Sequence, residues 1–310
     1  MVTGASGFIG RWSVPALLAL GFEVHAVVSA AHQQPVPDEL RGATVHRCDL
    51  LREDSIDAAM DLIQPTHLLH FAWIAQPGVY WNSPDNFLWL KASEYLLHRF
   101  HSVGGRRVVM AGSCAEYDWS GPGVFDEQAG LLADDTAAST PAYTVCKLRL
   151  QRFLADFSAR QQLSSAWGRI FFQYGPYEHP QRLVPSVICS LLQGREALCT
   201  HGRQIRGFLH CADVGGAFAA ILAGRVEGAV NVGSDERITL ADLIERISRK
   251  IGRPDLVRLG ARTAPAEPPL LIPVTRRLRE ETSWRPRFTL EDGLADTIGW
   301  WRARPSPMAS

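Results

Sequence analysis

The sequence lacks an excess of charge of either sign. Its 310 residues carry 32 Lys and Arg against 32 Asp and Glu, so the formal net charge at neutral pH is zero. Proteins that follow a nucleic acid or lie on an anionic membrane surface need a basic face, which shows as an excess of positive charge. The balance argues against a nucleic-acid partner and against binding to a membrane surface.

A long apolar run is missing as well. The longest one, at residues 14–31, is interrupted by Gly21, Glu23 and His25. Such interruptions are unlike a membrane-spanning helix, and the run also lacks the layout of a secretory signal. We therefore predict a cytoplasmic protein with no membrane partner.

The cysteines show neither a disulfide framework nor a metal-site pattern. None of the six belongs to a Cys-x-x-Cys pair, and their scatter is typical of reduced, mostly buried thiols. Cys199, His201, His210 and Cys211 could be brought together around zinc, but their spacing matches no ligand pattern. The sequence therefore predicts no metal site.

What the sequence does contain is an alternation of short β-branched runs with longer amphipathic ones. Strands separated by helices indicate βαβ units with right-handed crossovers. This predicts an α/β protein with a doubly wound parallel sheet of the Rossmann type and a smaller C-terminal α/β domain. The predicted strands cover residues 23–28, 44–48, 66–72, 106–112 and 164–172, and the predicted helices between them include 55–63 and 86–100.

Three glycines stand at the start of the chain, in the stretch "MVTGASGFIG". Gly4, Gly7 and Gly10 lie between a predicted strand and a predicted helix. Glycines let the chain turn tightly there and bring backbone N–H groups close to a pyrophosphate, which the positive end of the helix dipole also attracts. An acid, Asp49, closes a later strand. Together these features predict a bound dinucleotide.

The predicted second strand has no acid at its end. An Asp or Glu there would accept hydrogen bonds from the ribose 2′-hydroxyl of NAD. The sequence instead has "VVSAAHQQ", in which Ser29 and His32, with the nearby Arg11, could accommodate a 2′-phosphate. This favours NADP(H) as the cofactor, with NAD(H) as the alternative.

Tyr143 and Lys147 stand four residues apart in a predicted helix, so they share one of its faces. A free phenol titrates near about 10, and a neighbouring ammonium favours the phenolate. The pair therefore predicts a general acid whose pKa is lowered towards neutrality. Ser113, which follows a predicted strand, is placed to hold a substrate oxygen.

These motifs resemble those of the extended short-chain dehydrogenases/reductases, in particular the NAD-dependent epimerase/dehydratase family, over nearly the whole chain. Ser113, Tyr143 and Lys147 match the family's catalytic triad, and Lys147 would also hold the nicotinamide ribose. Asn86 matches an asparagine that the resemblance places among the catalytic residues, in the helix after the "HFAW" turn. The implied cofactor contacts are Gly4, Ser6, Gly7, Phe8, Ile9, Gly10, Ser29, Asp49, Leu50, Phe71, Ala72, Trp73, Tyr143 and Lys147.

The resemblance extends to the substrate side. The stretch at 202–214 resembles one whose arginine, here Arg206, meets the diphosphate of a nucleotide sugar. Two residues depart from the family, because Phe172 stands where an asparagine is frequent and Gly207 where an aspartate is usual. The implied substrate contacts are Ser113, Cys114, Tyr143, Phe172, Arg182 and Arg206.

The chain changes its pattern after residue 172, where prolines crowd a predicted loop. Helices are predicted at 184–194, at 239–251 with Thr239 as the N-cap, and at 290–302. We predict a dinucleotide-binding Rossmann domain at 1–172. A mainly substrate-binding domain is expected at 173–303, with some strands that return to the sheet, and a disordered tail at 304–310.

The residues after Ser113 bear on the reaction. Family 4,6-dehydratases carry carboxylates at the next two positions, whereas this chain has Cys114 and Ala115 there, which disfavours dehydration. Glu116 could reach a substrate or serve as a structural carboxylate beside Tyr117, and both interpretations stay open at this point.

Cys114 and His179 are the nearest counterparts of the Cys/His pair of family 3,5-epimerases, but both are shifted from its usual places. We therefore expect reduction of a nucleotide-diphospho-4-keto-6-deoxy sugar by NAD(P)H, with hydride to C4 and Tyr143 as the proton donor. Such sugars serve antibiotic or surface-polysaccharide assembly.

Three alternatives stay open: a nucleotide-sugar C4-epimerase, a reductase of a non-sugar carbonyl, and a non-catalytic dinucleotide-sensing protein. Several aromatic side chains, Trp73, Tyr80, Trp81 and Trp89, flank the expected entrance and could pack on a substrate or belong to the core. The helices that contain Asn86 and Tyr143 resemble the family's four-helix dimer contact, so a homodimer is expected.

Overall fold

The computed structural model describes residues 1–31, 35–132, 140–264 and 267–304. His32 and residues 305–310 of the predicted tail lie outside these ranges. The strands are β1 (Val2–Thr3), β2 (His25–Ser29), β3 (Thr44–Cys48), β4 (His67–His70), β5 (Arg107–Ser113), β6 (Val124–Phe125), β7 (Ser164–Ile170), β8 (Phe172–Tyr174), β9 (Ala197–Leu198), β10 (Ile205–Arg206), β11 (Phe208–His210), β12 (Gly228–Val232), β13 (Ile238–Thr239), β14 (Val257–Arg258) and β15 (Leu270–Pro273). The helices are α1 (Gly10–Ala19), α2 (Glu53–Ile63), α3 (Asp85–Ser102), α4 (Ala142–Gln161), α5 (Leu183–Leu192), α6 (Cys211–Ala223), α7 (Leu240–Ile251), α8 (Arg276–Thr282) and α9 (Leu290–Arg302).

Within the described residues, seven parallel strands form the large sheet in the order β12-β7-β5-β4-β1-β2-β3. β1 has only two residues, yet it lies inside the sheet, where Val2 pairs with Ala26 on one side and with Leu69 on the other. The direction of the strand order reverses between β1 and β4, which opens a crevice at the carboxyl ends of these strands. The predicted doubly wound sheet of the Rossmann type is confirmed.

Helices cover both faces of the large sheet because its strands are apolar on both sides. Neighbouring residues of a strand point to opposite faces. Val109 of β5 belongs to the layer that includes Leu17 of α1 and Phe218 of α6. Val108 and Met110 belong to the opposite layer, which is completed by α2, α3 and α4.

A second unit surrounds the sheet β13-β10-β15-β6. The apolar faces of α5, α7 and α9 pack together beside it, with Ile188, Leu243 and Leu294 fully buried between them. β6 precedes residue 172 in the chain, whereas β12 follows it and joins the large sheet. The two units therefore exchange segments across that residue.

The chain leaves the large sheet at Phe171. The sequence predicts one strand over 164–172, but β7 ends at Ile170 and β8 pairs with β11 instead. The Phe171 N–H still donates to the Val232 carbonyl at 2.9 Å, while its ring packs in a separate apolar cluster. The apolar run is continuous in sequence, so the change of partner leaves no local signal.

Two helix boundaries agree with the sequence. Thr239 caps α7, because its Oγ1 accepts the Asp242 N–H at 3.0 Å, and α9 spans the predicted 290–302. In the part of the chain that the structure describes, no helix combines the length and the apolar character that crossing a membrane requires.

Candidate active site

The carboxyl ends of the central parallel strands bring several predicted site residues to one edge of the sheet. Thr3, Ser29, Cys48, His70 and Ser113 are the last residues of β1 to β5. In doubly wound sheets this edge, at the reversal of the strand order, is where dinucleotides bind.

The glycine loop between β1 and α1 leaves no room for a side chain at Gly4 or at Gly10. Gly4 has a φ of +65°, and a Cβ there would lie 2.8 Å from the backbone nitrogen of Ala72. A Cβ on Gly10 would collide with the carbonyl of Gly4. The Gly7 N–H donates to that same carbonyl at 2.9 Å, which closes the turn. A turn this tight lets a pyrophosphate approach the backbone, so the loop fits a dinucleotide.

The first turn of α1 presents its N–H groups without a competing side chain. Among the described residues no side chain caps Ile9, and the first turn contains no acid. Phe8 is half-buried beside it. Arg11 is buried, donates from Nε to the Gly7 carbonyl at 3.1 Å and also donates to the Ser6 carbonyl. Arg11 therefore braces the loop and adds positive charge beside it.

Arg11 is engaged by further partners, which bears on its predicted role towards a 2′-phosphate. Its Nη1 lies 3.7 Å from the Glu39 carboxylate, and its Cζ lies 3.6 Å from the centroid of the Tyr177 ring. Ser29 is exposed at the end of β2, and its Oγ accepts the Ala31 N–H at 3.2 Å. Ser29 thus stays accessible to a ligand, whereas Arg11 is committed to the loop.

Asp49 and Leu50 follow β3 at the same edge. Asp49 is half-exposed, its N–H donates to the Ser55 hydroxyl at 3.0 Å, and its Oδ1 accepts the Leu51 N–H at 3.1 Å. Leu50 is buried. These bonds fix the turn at the end of the strand.

The "HFAW" turn packs against the start of the chain. His70 is buried, and its Nδ1 bonds to the Thr3 hydroxyl at 2.7 Å while its Nε2 bonds to the Ser93 hydroxyl at 2.9 Å. Burial lowers the pKa of His70 to about 3, so the ring is neutral and joins β4 to β1 and α3. Phe71 packs on Phe218 with ring centroids 4.8 Å apart.

Tyr143 of α4 and Ser113 of β5 bring their side chains close together, and the Ser113 side chain favours the ionised form of the Tyr143 phenol. The Tyr143 N–H donates to the Trp81 carbonyl at 3.0 Å, and its ring packs edge-on against Tyr80 with centroids 4.9 Å apart. The two hydroxyls that the sequence offered for catalysis therefore lie together.

Lys147 lies one turn further along α4 and is buried. Its Nζ donates to the Ala111 carbonyl at 3.0 Å and lies 3.8 Å from the centroid of the Trp73 ring. The centroid of the Tyr143 ring is 5.9 Å from the same nitrogen, as expected for two side chains on one helix face. Burial lowers the pKa of Lys147 to about 7, and the negative charge of Glu116 opposes this shift.

The pKa of Tyr143 moves opposite to the direction predicted from the sequence. Burial raises it well above the ordinary value, and the nearby Ser113 side chain offsets only part of the rise. The prediction from the sequence included the neighbouring ammonium, which lowers the pKa of the phenol. It left out burial, which makes the phenolate costly because it is removed from water, and which therefore raises the pKa. Tyr143 is therefore a protonated phenol at neutral pH, which suits a proton donor.

Glu116 takes the structural one of its two possible roles. Its Oε1 accepts the Ser113 N–H at 2.7 Å and its Oε2 accepts Nε of Arg169 at 2.9 Å. Both oxygens also accept the indole N–H of Trp167. The carboxylate is fully buried and engaged on every side, so it holds the end of β5 in place.

Asn86 has the geometry of a positioning residue, although the resemblance places it among the catalytic ones. Its Nδ2 donates to the carbonyls of Tyr80 at 2.7 Å and Ser83 at 2.8 Å, and its Oδ1 accepts the Trp73 indole N–H at 2.8 Å. These bonds fix the segment whose Tyr80 packs on Tyr143.

Arg206 and Phe172, two of the predicted substrate contacts, lie together. Nη1 of the buried Arg206 donates to the Ile205 carbonyl at 2.9 Å, and Nη2 donates to Oε2 of Glu267 at 3.1 Å. The guanidinium carbon is 5.1 Å from the centroid of the Phe172 ring. The charges of Arg206 and Glu267 both shift the pKa of the Cys114 thiol, so this ion pair lies close to the residue that follows Ser113.

The remaining substrate-side residues do not supply a base. Burial and the nearby Glu116 raise the pKa of Cys114 to about 12, so its thiol stays protonated. His179 is exposed, and its Nδ1 accepts the Gln181 N–H at 3.3 Å. Arg182 is exposed too, with its guanidinium carbon 5.6 Å from the centroid of the Tyr80 ring.

Sequence reasoning missed the polar network below Ser113. Arg169 and Trp167 lie on β7 and bond to Glu116, and Arg169 also donates to the Tyr117 hydroxyl at 3.1 Å. An arginine inside an apolar strand run is the signal that could have revealed it, because a buried charge needs a partner. Glu267 lies in an irregular stretch and carries no such signal.

The cysteines and histidines considered for zinc have other surroundings. Cys199 and Cys211 are buried, and His201 is exposed with its Nδ1 accepting the Arg203 N–H at 3.0 Å. Over residues 1–31, 35–132, 140–264 and 267–304, no group of three or more His, Cys, Asp or Glu residues is arranged to hold a metal ion.

The profile of the NAD dependent epimerase/dehydratase family matches residues 1–233 of this chain. The match contains the glycine loop together with Ser113, Tyr143 and Lys147. The chain belongs to this family. It is an enzyme of the NAD(P)-dependent oxidoreductase type, as the sequence predicts.

Relatives within the family differ in their reactions. The chain is 26% identical to a dTDP-glucose 4,6-dehydratase of Streptomyces niveus, over 97% of this chain and 92% of that protein. It is 26% identical to a dTDP-4-dehydro-6-deoxy-D-allose reductase of Streptomyces bikiniensis, over 97% and 95%. The solved structure of MoeE5 in complex with UDP-glucuronic acid and NAD has a TM-score of 0.78 at 26% identity, covering 97% of this chain and 98% of that one. The reaction must therefore be inferred from the site.

Proposed function

We propose that this enzyme is an NAD(P)H-dependent ketoreductase that delivers hydride to C4 of a nucleotide-diphospho-4-keto-6-deoxy sugar. Tyr143 donates the proton to the C4 oxygen, and Ser113 hydrogen-bonds to that oxygen. The observation that carries the proposal is the state of Tyr143, whose phenol lies close to Ser113 and is kept protonated by burial. Reduction of a ketone needs a proton donor at this place.

The neighbours of Ser113 support reduction over dehydration. Cys114 and Ala115 stand where family dehydratases carry carboxylates. Glu116, the next carboxylate along the chain, already accepts hydrogen bonds from Arg169 and from the Ser113 N–H. Taking a proton from a sugar carbon requires a base that this part of the site lacks, whereas hydride transfer to C4 does not. The reductase relative from Streptomyces bikiniensis is consistent with this reaction.

The glycine loop and the residues around it fit the proposed dinucleotide. Gly4 and Gly10 leave the backbone open to a pyrophosphate, and a reduced nicotinamide bound at this edge would supply the hydride. We assign Lys147 to the nicotinamide ribose and Asp49 to the adenosine half. Because β2 ends in an exposed Ser29 rather than an acid, we propose that NADPH is accepted and that NADH is the alternative.

Arg206 is the proposed contact for the substrate diphosphate. Arg206 is buried, and its guanidinium already donates a hydrogen bond to the Glu267 carboxylate. An arginine N–H that binds a carboxylate oxygen can bind a phosphate oxygen equally well. Phe172 packs on its face, and Cys114 and Arg182 complete the substrate side. MoeE5 is a relative whose structure contains a nucleotide sugar, which supports this substrate class.

We also propose a homodimer formed through α3 and α4. These helices pack on each other, and α3 exposes two large apolar side chains, Phe87 and Leu88. Sedimentation at micromolar concentration should show a dimer, and Leu88→Glu should shift it to the monomer because a charge cannot be buried in an apolar contact. A wild-type monomer would contradict the proposal.

A panel of nucleoside-diphospho-4-keto sugars, each mixed with NADPH or NADH, tests the function at the absorbance of the reduced cofactor. We expect stoichiometric loss of absorbance and a 4-hydroxy product. The matching 4-hydroxy nucleotide sugars are assayed in parallel, because a 4-keto sugar has no configuration at C4, and interconversion of their C4 epimers without net cofactor consumption would identify an epimerase instead. Cofactor binding without turnover of any sugar would count against the proposal and favour the non-sugar or sensing alternatives.

A further inference from the structure

Trp73 is connected to both Lys147 and Tyr143, the two side chains whose positions must be fixed in the proposed mechanism. The face of its ring is 3.8 Å from Nζ of Lys147, and its indole N–H donates to Oδ1 of Asn86 at 2.8 Å. Asn86 in turn holds the carbonyl of Tyr80, whose ring packs on Tyr143. A continuous chain of contacts therefore joins the ammonium to the phenol through Trp73.

The ammonium of Lys147 has few other sources of support. It makes a hydrogen bond to the neutral carbonyl of Ala111. Within the described ranges no carboxylate lies at ion-pair distance from it. Beside that carbonyl, the aromatic face of Trp73, with its ring centroid 3.8 Å from Nζ, is a further group that favours a positive charge.

The titratable and charged groups around Lys147 come from α4 itself and from two other places in the fold. Glu116, beyond the end of β5, favours the ammonium but is already paired with Arg169. Cys146, on α4 itself, also favours the charged form. His70 of β4 is neutral, and Tyr143 is a protonated phenol on the same helix.

We propose that Trp73 is a positioning residue that keeps Lys147 charged and aimed into the cleft through its ring face, while its indole N–H links that lysine to the Asn86–Tyr80 support of Tyr143. This inference rests on the proposed function, because the charge on Lys147 contributes to turnover only in the proposed reduction. The sequence motif gives no hint of it, since Trp73 is expected from the resemblance to contact the cofactor.

The effect of Trp73 should be large because Lys147 is poised near neutrality. Because the pKa of Lys147 is about 7, roughly half of the Lys147 side chains are protonated at neutral pH. A modest loss of stabilisation therefore changes the charged fraction strongly. Removing the ring face is expected to lower the pKa of Lys147 by about 0.5 to 1.5 pH units, the range that a partly desolvated cation–π contact supports.

The test is an NMR titration of lysine labelled with ¹³C at Cε. The chain has three lysines, Lys91, Lys147 and Lys250, so the spectrum is simple and Lys147→Met assigns the resonance. The wild type is compared with Trp73→Leu and with Trp73→Phe, which keeps a ring face but loses the bond to Asn86. Trp73→Met fills similar space without a π face and serves if the leucine variant does not fold.

We expect the pKa of Lys147 to fall in Trp73→Leu or Trp73→Met and to stay closer to the wild-type value in Trp73→Phe. The alkaline limb of the rate profile should move by the same amount. Trp284→Leu removes another partly buried tryptophan, which packs in a different core cluster, and should leave the titration unchanged. An unchanged Lys147 titration in the leucine and methionine variants would overturn the inference.

The titration does not depend on turnover, so the two proposals fail separately. A lower Lys147 pKa in a protein that reduces no sugar would retain the role of Trp73 and remove the proposed reaction. Normal sugar reduction with an unchanged Lys147 titration would retain the proposed reaction and remove the role of Trp73.

Discussion

The guanidinium of Arg206 and the carboxylate of Glu267 lie 3.1 Å apart on the substrate side of the cleft. The Arg206 side chain is almost completely buried, whereas 41% of the Glu267 side chain is exposed. Glu267 is therefore the partner that can move away, and it occupies an N–H that a phosphate oxygen would also use. With the proposed diphosphate contact at Arg206, substrate affinity is expected to depend on Glu267, a residue outside the catalytic triad.

Glu267→Gln should strengthen the binding of dTDP or UDP. The substitution removes a carboxylate that competes with phosphate, and losing a half-exposed ion pair worth up to about 1 kcal/mol corresponds to about two- to fivefold in affinity. Calorimetric titration measures the change. Glu196→Gln, which loses a surface pair with Arg258, is the matched control. Equal affinity in wild type and Glu267→Gln would argue against the competition.

Tyr143→Phe should abolish reduction while the cofactor still binds. Loss of a general acid costs about 10²- to 10⁴-fold in rate, and the phenyl ring keeps the packing against Tyr80. Turnover is followed at the absorbance of the reduced cofactor, and binding by its fluorescence. Tyr95→Phe, which loses only a bond to Asp57, is the control. A mutant within tenfold of wild type would exclude Tyr143 as the donor.

The rate of reduction should fall as pH rises through neutrality. The Lys147 ammonium has a pKa of about 7, so it is charged below that value and loses its charge above it. Tyr143 stays protonated over the same interval, because burial raises its pKa. A one-proton limb is expected, with about a tenfold loss per pH unit at constant substrate. A rate that climbs with pH across neutrality would mean that a deprotonated group is required instead.

Glu116→Gln should destabilise the fold by about 3–5 kcal/mol, since it leaves the buried Arg169 without its counter-charge. Urea unfolding provides the measurement. The double variant Glu116→Gln, Arg169→Met removes both charges and should recover part of the loss. Glu245→Gln breaks only the exposed pair with Arg249 and should change little. A fully stable Glu116→Gln protein would show that the pair does not hold the end of β5.

Features that depend on local spacing could be predicted from the sequence. The interval between Gly4 and Gly10 fixes a turn that only glycine can make, and the interval between Tyr143 and Lys147 fixes a shared helix face. The same holds for the alternating strands and helices of the large sheet, because periodicity is a local property. These elements appear where the sequence places them.

Features that depend on burial or on distant partners could not be predicted in this way. The pKa of Tyr143 is set by how much water the fold excludes, and the partners of Asn86 are set by how a loop returns to α3. Glu267 meets Arg206 only through the pairing of β10 with β15. The change of strand partner at Phe171 is likewise a tertiary event within a continuous apolar run.

The most direct test of the proposed reduction uses reduced cofactor in which both hydrogens at C4 of the nicotinamide are deuterium, so that either face transfers the label. A nucleotide-diphospho-4-keto-6-deoxy sugar is incubated with this cofactor and wild-type enzyme, and the product is read by NMR. We expect one deuterium at C4 of the sugar for each cofactor oxidised, and none when Tyr143→Phe replaces the wild type. A product without deuterium at C4, or full transfer by the mutant, would contradict the account.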